Sequence, residues 1–226
     1  MTVQDTATTP LTLLDAINEM LAAVGRGPVT STDPAAAGEE AAKAIAIISD
    51  ISVAVQSEGW WFNEEVEYPL VPSPVDGTIV LPTNCLSVKR STRAYSKQTR
   101  PNADRNRTFS MRGVNGTNYL YDIANHTYTW IANTDGYACD QPLITGTVVV
   151  EMILAYPFED IPQPVRWYIM AKAGREWAVG RVPDMNTYRF TDAIVQDAEA
   201  RARAADTEMR DAVPEDNPHF RTMRRR

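Results

Sequence analysis

Histidine and cysteine are scarce in this sequence, and their scarcity removes much chemistry. There are two histidines, His126 and His219, and two cysteines, Cys85 and Cys139. No CxxC pair, no HExxH and no Gly-x-Ser-x-Gly is present, so zinc sites, zincin proteolysis and the serine-hydrolase elbow have no sequence support. The phosphate-cradling GxxxxGK is missing as well. Two thiols are too few for a disulfide framework; two free thiols in a reducing compartment is the expectation, with a single bridge as the alternative. Nowhere is there an apolar run near the ~20 residues of a membrane span. The polar, Thr-rich start has no basic and apolar leader, so a soluble chain made in the cytoplasm is expected. Positive charge is in deficit: 22 Lys and Arg face 29 Asp and Glu, a formal net charge of −7. Phosphate neutralisation needs a cationic face, so general nucleic-acid binding is a poor fit. No internal repeat is visible.

What is present reads first as helix. Thr9-Pro10 supplies an N-cap oxygen and a residue needing no N–H partner. Leu11, Leu14, Ile17, Leu21 and Val24 then recur at steps of three and four, one apolar stripe closed by Gly25 and Gly27-Pro28. Asp33-Pro34 repeats the start signal, and Glu39 and Glu40 suit the positive end of a helix dipole. Ala41, Ile45, Ile48 and Val55 form its stripe. A single helix over 34–58 would be roughly 37 Å long.

After Trp60-Trp61-Phe62 the texture turns to Thr, Val, Tyr, Asn, Gly and Pro. Runs over 77–81, 108–111, 118–121, 127–131 and 147–154 read as strands. Asn115-Gly116 and Asp135-Gly136 are turn signals, and the Asn-x-Thr triplets at Asn106, Asn115 and Asn125 read as turn chemistry. The basic stretch 89–107 is expected to be an exposed loop. Helix returns with Pro162 and Pro164 in a first turn and Val165, Ile169 and Trp177 on a buried face. A last helix is expected from Asp184 or Thr187 to Ala212. The fold class is therefore α+β: a four-helix bundle-like domain (1–63 with 157–213), an inserted small antiparallel β domain (64–156) and a flexible basic C-terminal tail (214–226).

The last helix carries Asp197–Arg201, Glu199–Arg203 and Asp206–Arg210, acid-before-base pairs four apart. Beyond Val195 it has almost no large apolar side chain, so it is expected either to stay solvated or to pack through alanines on a neighbouring subunit. The tail ends in His219-Phe220-Arg221 and Arg224-Arg225-Arg226; it is either solvated, a weak nucleic-acid contact or a dock for an acidic protein surface. The Trp60-Trp61-Phe62 cluster suits a core plug better than a ligand-stacking platform. His126, in Asn-His-Thr, reads as a solvated turn histidine. Two carboxylates flanking one glycosidic bond could hydrolyse it; Glu64, Glu65, Asp122, Asp135 and Asp140 are the conceivable members, although adjacent Glu64 and Glu65 point to opposite faces of a strand. A glycan-degrading tail component using Glu64 and Asp122 is thus the alternative function, and a nucleic-acid module using the basic loop and tail is a third.

One set of segments carries a resemblance. Leu14-Asp15-Ala16-Ile17-Asn18-Glu19-Met20-Leu21-Ala22-Ala23-Val24-Gly25 is followed by Pro28-Val29, and later by Val55-Gln56-Ser57-Glu58-Gly59-Trp60-Trp61-Phe62-Asn63. With Tyr119-Leu120-Tyr121-Asp122, Ile161-Pro162, Arg166-Trp167-Tyr168-Ile169 and Lys172-Ala173, this order resembles the tail tubular protein A family of short-tailed bacteriophages. The resemblance implies a structural virion protein, not an enzyme, with no cofactor and no membrane partner. It implies a homo-oligomeric ring, twelve subunits in the family, linking the portal to the nozzle (tail tubular protein B), with tail fibres near that junction. Genomic DNA would pass through the lumen without specific binding. It also implies that the tail, through His219, Phe220, Arg221, Arg224, Arg225 and Arg226, reaches into the portal. Asp197, Arg201, Arg203, Asp206 and Arg210 are the candidate subunit-interface residues on the last helix.

Overall fold

The computed structural model describes residues 10–90, 108–123, 126–128, 148–179, 181 and 191–211. The fold is α+β. The described residues form helices α1 (Leu13–Ala23), α2 (Pro34–Ala37), α3 (Glu39–Gln56), α4 (Gln163–Ala178) and α5 (Asp192–Asp211), and strands β1 (Glu64–Leu70), β2 (Cys85–Arg90), β3 (Phe109–Val114), β4 (Thr117–Asp122) and β5 (Val148–Leu154). They divide into two compact units: residues 1–55, 60–62 and 156–226, and residues 56–59 and 63–155.

In the first unit, α1 starts at a capping box, not at Thr9-Pro10. The Thr12 hydroxyl accepts the Asp15 N–H while Asp15 accepts the Thr12 N–H, which satisfies two donors that a helix start otherwise leaves open. The Thr12 hydrogen bonds hold the Asp15 carboxyl below its ordinary pKa. The end follows the glycine signal: Gly25, at φ 73°, donates to the Ala22 carbonyl and Arg26 donates to the Leu21 carbonyl, the 5→2 and 6→1 pair of a Schellman stop. The expected single helix over 34–58 is two helices. Gly38 sits at φ 84° and ψ 167°, a conformation open to glycine but not to a helix, and it separates α2 from α3.

Side chains at the quoted motifs hold backbone. Asn18 donates to the Val29 carbonyl and accepts the Val29 N–H, so its amide pairs with the returning chain as a strand would. Arg166, in α4, donates to the carbonyls of Leu11, Glu159 and Ile161. Gln163 accepts the Leu11 N–H and Glu159 the Leu13 N–H. One guanidinium thus fastens the chain before α1 to the turn before α4. Replacing Arg166 by Ala should lower stability by about 2–3 kcal/mol, because hydrogen bonds from a charged donor are lost at three carbonyls. For a chain of this size that is a fall of roughly 5–10 °C in Tm. Calorimetry checks it, and Arg166→Lys should recover less than half, since a point ammonium cannot fork to three acceptors.

α4 is buried on nearly all sides: Val165, Tyr168, Ile169, Met170, Ala171, Ala173, Gly174, Trp177 and Ala178 are buried. Around it gather Ala16, Ile17, Met20, Leu21, Ile48, Val55 and Trp60. Arg181 covers the Trp177 ring at 3.8 Å from its centroid.

The second unit holds a three-stranded antiparallel sheet, order β1-β5-β2, and a β3–β4 hairpin. Val148, Val150, Met152 and Leu154 alternate on the buried side of β5, the period-two pattern of a half-covered strand. The hairpin closes on Asn115 (φ 50°) and Gly116 (φ 79°), both positive as a two-residue type I′ turn needs. Residues 77–81 form no full strand but a bridge, Val80 opposite Tyr119. Of the run 127–131, Thr127 bridges Asp122; residues 129–131 lie outside the described residues. β1 and β2 were not among the expected strands, and Lys89 lies in β2 instead of opening a loop.

Gly59, at φ 77°, belongs to this unit; a Cβ there would meet Ile153 Cδ1 at 3.1 Å. Asn63, fully buried, donates to the carbonyls of Gln56 and Leu154.

Candidate functional site

α5 holds all the described members of the expected interface. It begins at Asp192, where Thr191 accepts the Ile194 N–H; residues 182–190 lie outside the described residues. Its inner side corrects an expectation. Ala198 and Ala202 are fully buried in the chain's own core, and α5 packs along α4. Alanine lets the helix approach closely, so large apolar side chains are not needed for burial. Asp192 is bonded by Arg175 at 2.6 Å, and that hydrogen bond holds its carboxyl below the ordinary range.

The three acid-before-base pairs form, at 2.9 Å (Asp197–Arg201), 3.6 Å (Glu199–Arg203) and 3.0 Å (Asp206–Arg210). Two of the paired residues also reach the aromatic cluster. The Arg203 guanidinium lies 4.4 Å from the Trp60 ring centroid, a cation over a π face. Asp206 accepts the Trp61 N–H at 2.8 Å. Asp197, Ala200, Arg201, Ala204 and Glu208 face outward. α5 therefore has an inner side fixed to this chain and an outer side of small and oppositely charged residues, with Ile194 and Met209 also exposed on the helix.

Trp60 is 0% exposed, donates Nε1–H to the Val55 carbonyl at 2.7 Å and tilts against Tyr168. It is a core plug. Trp61 and Phe62 meet edge to face at 5.5 Å.

The conceivable catalytic groups fall otherwise. Glu64 shares Lys89 with Glu151, at 3.6 and 2.7 Å respectively; the hydrogen bond that Lys89 donates to Glu151 is the main reason its ammonium sits above its ordinary pKa. Asp122 is 2% exposed and its backbone bridges Thr127. His126 is exposed in a turn at φ 52°. Cys85 is a buried free thiol, raised in pKa by that burial. Among the described residues, no three His, Cys, Asp or Glu side chains gather as a metal site, and no helix is long and apolar enough to cross a membrane. Asp135, Cys139, Asp140, the basic stretch from 91 to 107 and the tail residues His219, Phe220, Arg221, Arg224, Arg225 and Arg226 lie outside the described residues. The Arg166 fastening and the Lys89–Glu64–Glu151 cluster were missed from sequence; each joins residues distant in the chain.

Fold and site together define an α+β protein whose quoted motif residues hold backbone in place. The tail tubular protein family matches residues 14–212, and the chain belongs to that family. It is thus a structural protein of a phage tail, located in the virion. No curated protein matched the chain.

Proposed function

We propose that this chain is the adaptor that joins the portal to the tail nozzle, in a closed ring of twelve copies that forms part of the DNA ejection channel. The helical residues 1–63 and 157–213 act as a four-helix bundle-like domain and form the ring wall, with the β domain 64–156 inserted. The tail 214–226 contacts the portal, tail fibres attach near the adaptor–nozzle junction, and subunits are made in the host cytoplasm. The observation that carries the reading is the outer side of α5. A head-to-tail ring needs two different faces of each subunit to fit, and Asp197, Ala200, Arg201 and Ala204 offer a low-profile, charge-paired face for one of them. Asp206 and Arg203 support that face from within by holding α5 on the Trp60-Trp61 segment, and Arg210 pairs with Asp206. A net charge of −7 suits a wall past which DNA slides.

Mass photometry of the purified chain, alone and with portal rings of the same phage, tests this. A large discrete complex on mixing is expected; a chain that stays monomeric and ignores the portal would sink the proposal. No observation favours the glycan-degrading alternative, since Glu64 is held by Lys89 and Asp122 is buried.

A further inference from the structure

Between β1 and the Val80 bridge the chain makes a tight, apolar-tipped loop. Val75, at its tip, is 93% exposed; Val71 and Val80, on its two arms, are 68% and 55% exposed. Single exposed valines need no explanation. The order beneath this one does. Ser73 N–H donates to the Thr78 carbonyl and Gly77 N–H to the Ser73 carbonyl, at 2.7 and 2.8 Å. The Ser73 hydroxyl accepts the Val75 N–H, and Asp76 accepts both the N–H and the hydroxyl of Thr78. Gly77 is buried at φ 70°, a turn conformation that favours glycine. Ser73 and Thr78 hydrogen bonds hold the Asp76 carboxyl below its ordinary pKa. Leu70, Ile79 and Leu81 anchor both ends in the buried interior of the unit. The tip Pro74-Val75 is therefore held out in water by a turn whose conformational freedom is already spent, the condition under which an apolar contact gains most on binding.

We propose that this loop is a preformed apolar knob that docks into a pocket on a different protein of the tail. The charge around it indicates the pocket's chemistry. Glu64 is taken up by Lys89, but from residue 65 to residue 88 there are three carboxylates, Glu65, Glu67 and Asp76, and no lysine or arginine. Glu65 and Glu67 are exposed on β1, the strand that leads into the loop. The receiving pocket is apolar at its floor and carries Lys or Arg at its rim, because charges across an interface set partner choice. Two copies meeting loop to loop would bring the same carboxylates together, so that pairing is disfavoured.

The knob depends on the chain's place in a tail and not on the portal as neighbour, so loss of portal capture and failure of the knob are separate outcomes. The test uses purified phage particles carrying the full chain with a photo-reactive benzophenone side chain at position 75. Irradiation should cross-link it to a different tail protein, at a segment where apolar residues are flanked by Lys or Arg. Val75→Asp should lower particle yield at least ten-fold, with the melting temperature of the purified chain unchanged, and Val75→Ile should restore yield. A cross-link confined to another copy of this chain, no cross-link, or normal yield from Val75→Asp would overturn the proposal.

Discussion

Trp60→Ala should cost the first unit about 3–5 kcal/mol, the range for deleting a fully buried large aromatic. The indole is 0% exposed and packed among the residues of the helical core. Its loss also leaves the Val55 carbonyl without the Nε1–H donor and removes the ring beneath Arg203. α5 is held to this segment at two points, Arg203 on Trp60 and Asp206 on the Trp61 N–H. The Asp206 contact goes to backbone and survives the substitution, so α5 should loosen without detaching. Calorimetry should show Tm lower by roughly 10 °C or more, and hydrogen exchange should rise in α5 ahead of α1. Trp61→Ala serves as the control: Trp61 is only half-buried and its bond to Asp206 is through the main chain, so the loss should be less than half as large. Equal losses would show that Trp60 is not the plug.

Deletion of residues 214–226 should abolish capture by portal rings while leaving the melting temperature unchanged. This expectation rests on the proposed function. The segment carries Arg221, Arg224, Arg225 and Arg226 with His219 and Phe220. An aromatic beside several arginines matches the residue types that dominate interface energetics. Its capture should weaken as salt rises, because exposed charge pairs are screened. Reversing Arg224, Arg225 and Arg226 to Glu should weaken portal capture at least ten-fold, measured by the same mixing experiment at two salt concentrations. Capture that survives the deletion would remove the tail from the interface.

Local signals were readable in this sequence where chemistry is local. Asn115-Gly116 specifies its hairpin because only such residues accept two positive φ angles. Gly25 stops α1; of its expected stripe Ile17 and Leu21 are buried, beside Ala16 and Met20, while Leu11, Leu14 and Val24 are half-buried. Gly38 was not readable as a break, because glycine inside a helix costs only ~1 kcal/mol and does not force one. β1 was missed although Val66, Tyr68 and Leu70 alternate with Glu65, Glu67 and Pro69, because carboxylates and a proline lower strand propensity and belong to an edge strand. α5 misled for the opposite reason: Ala198 and Ala202 bury fully without the bulk that marks a core face. The Asp206–Trp61 and Arg166–Leu11 bonds join residues 145 and 155 apart, and no spacing rule reaches that far. At the candidate site, the charge pairs of α5 were legible as i, i+4 contacts, whereas the attachment of Arg203 and Asp206 to Trp60-Trp61 was not.

A single-particle reconstruction of the intact phage tail is the most direct measurement. It should show this chain as a closed ring seated between portal and nozzle, with the outer side of α5 against the neighbouring copy and residues 214–226 running into the portal. A ring elsewhere in the tail, or copies that touch neither portal nor nozzle, would contradict the adaptor assignment while leaving the chain a tail tubular protein.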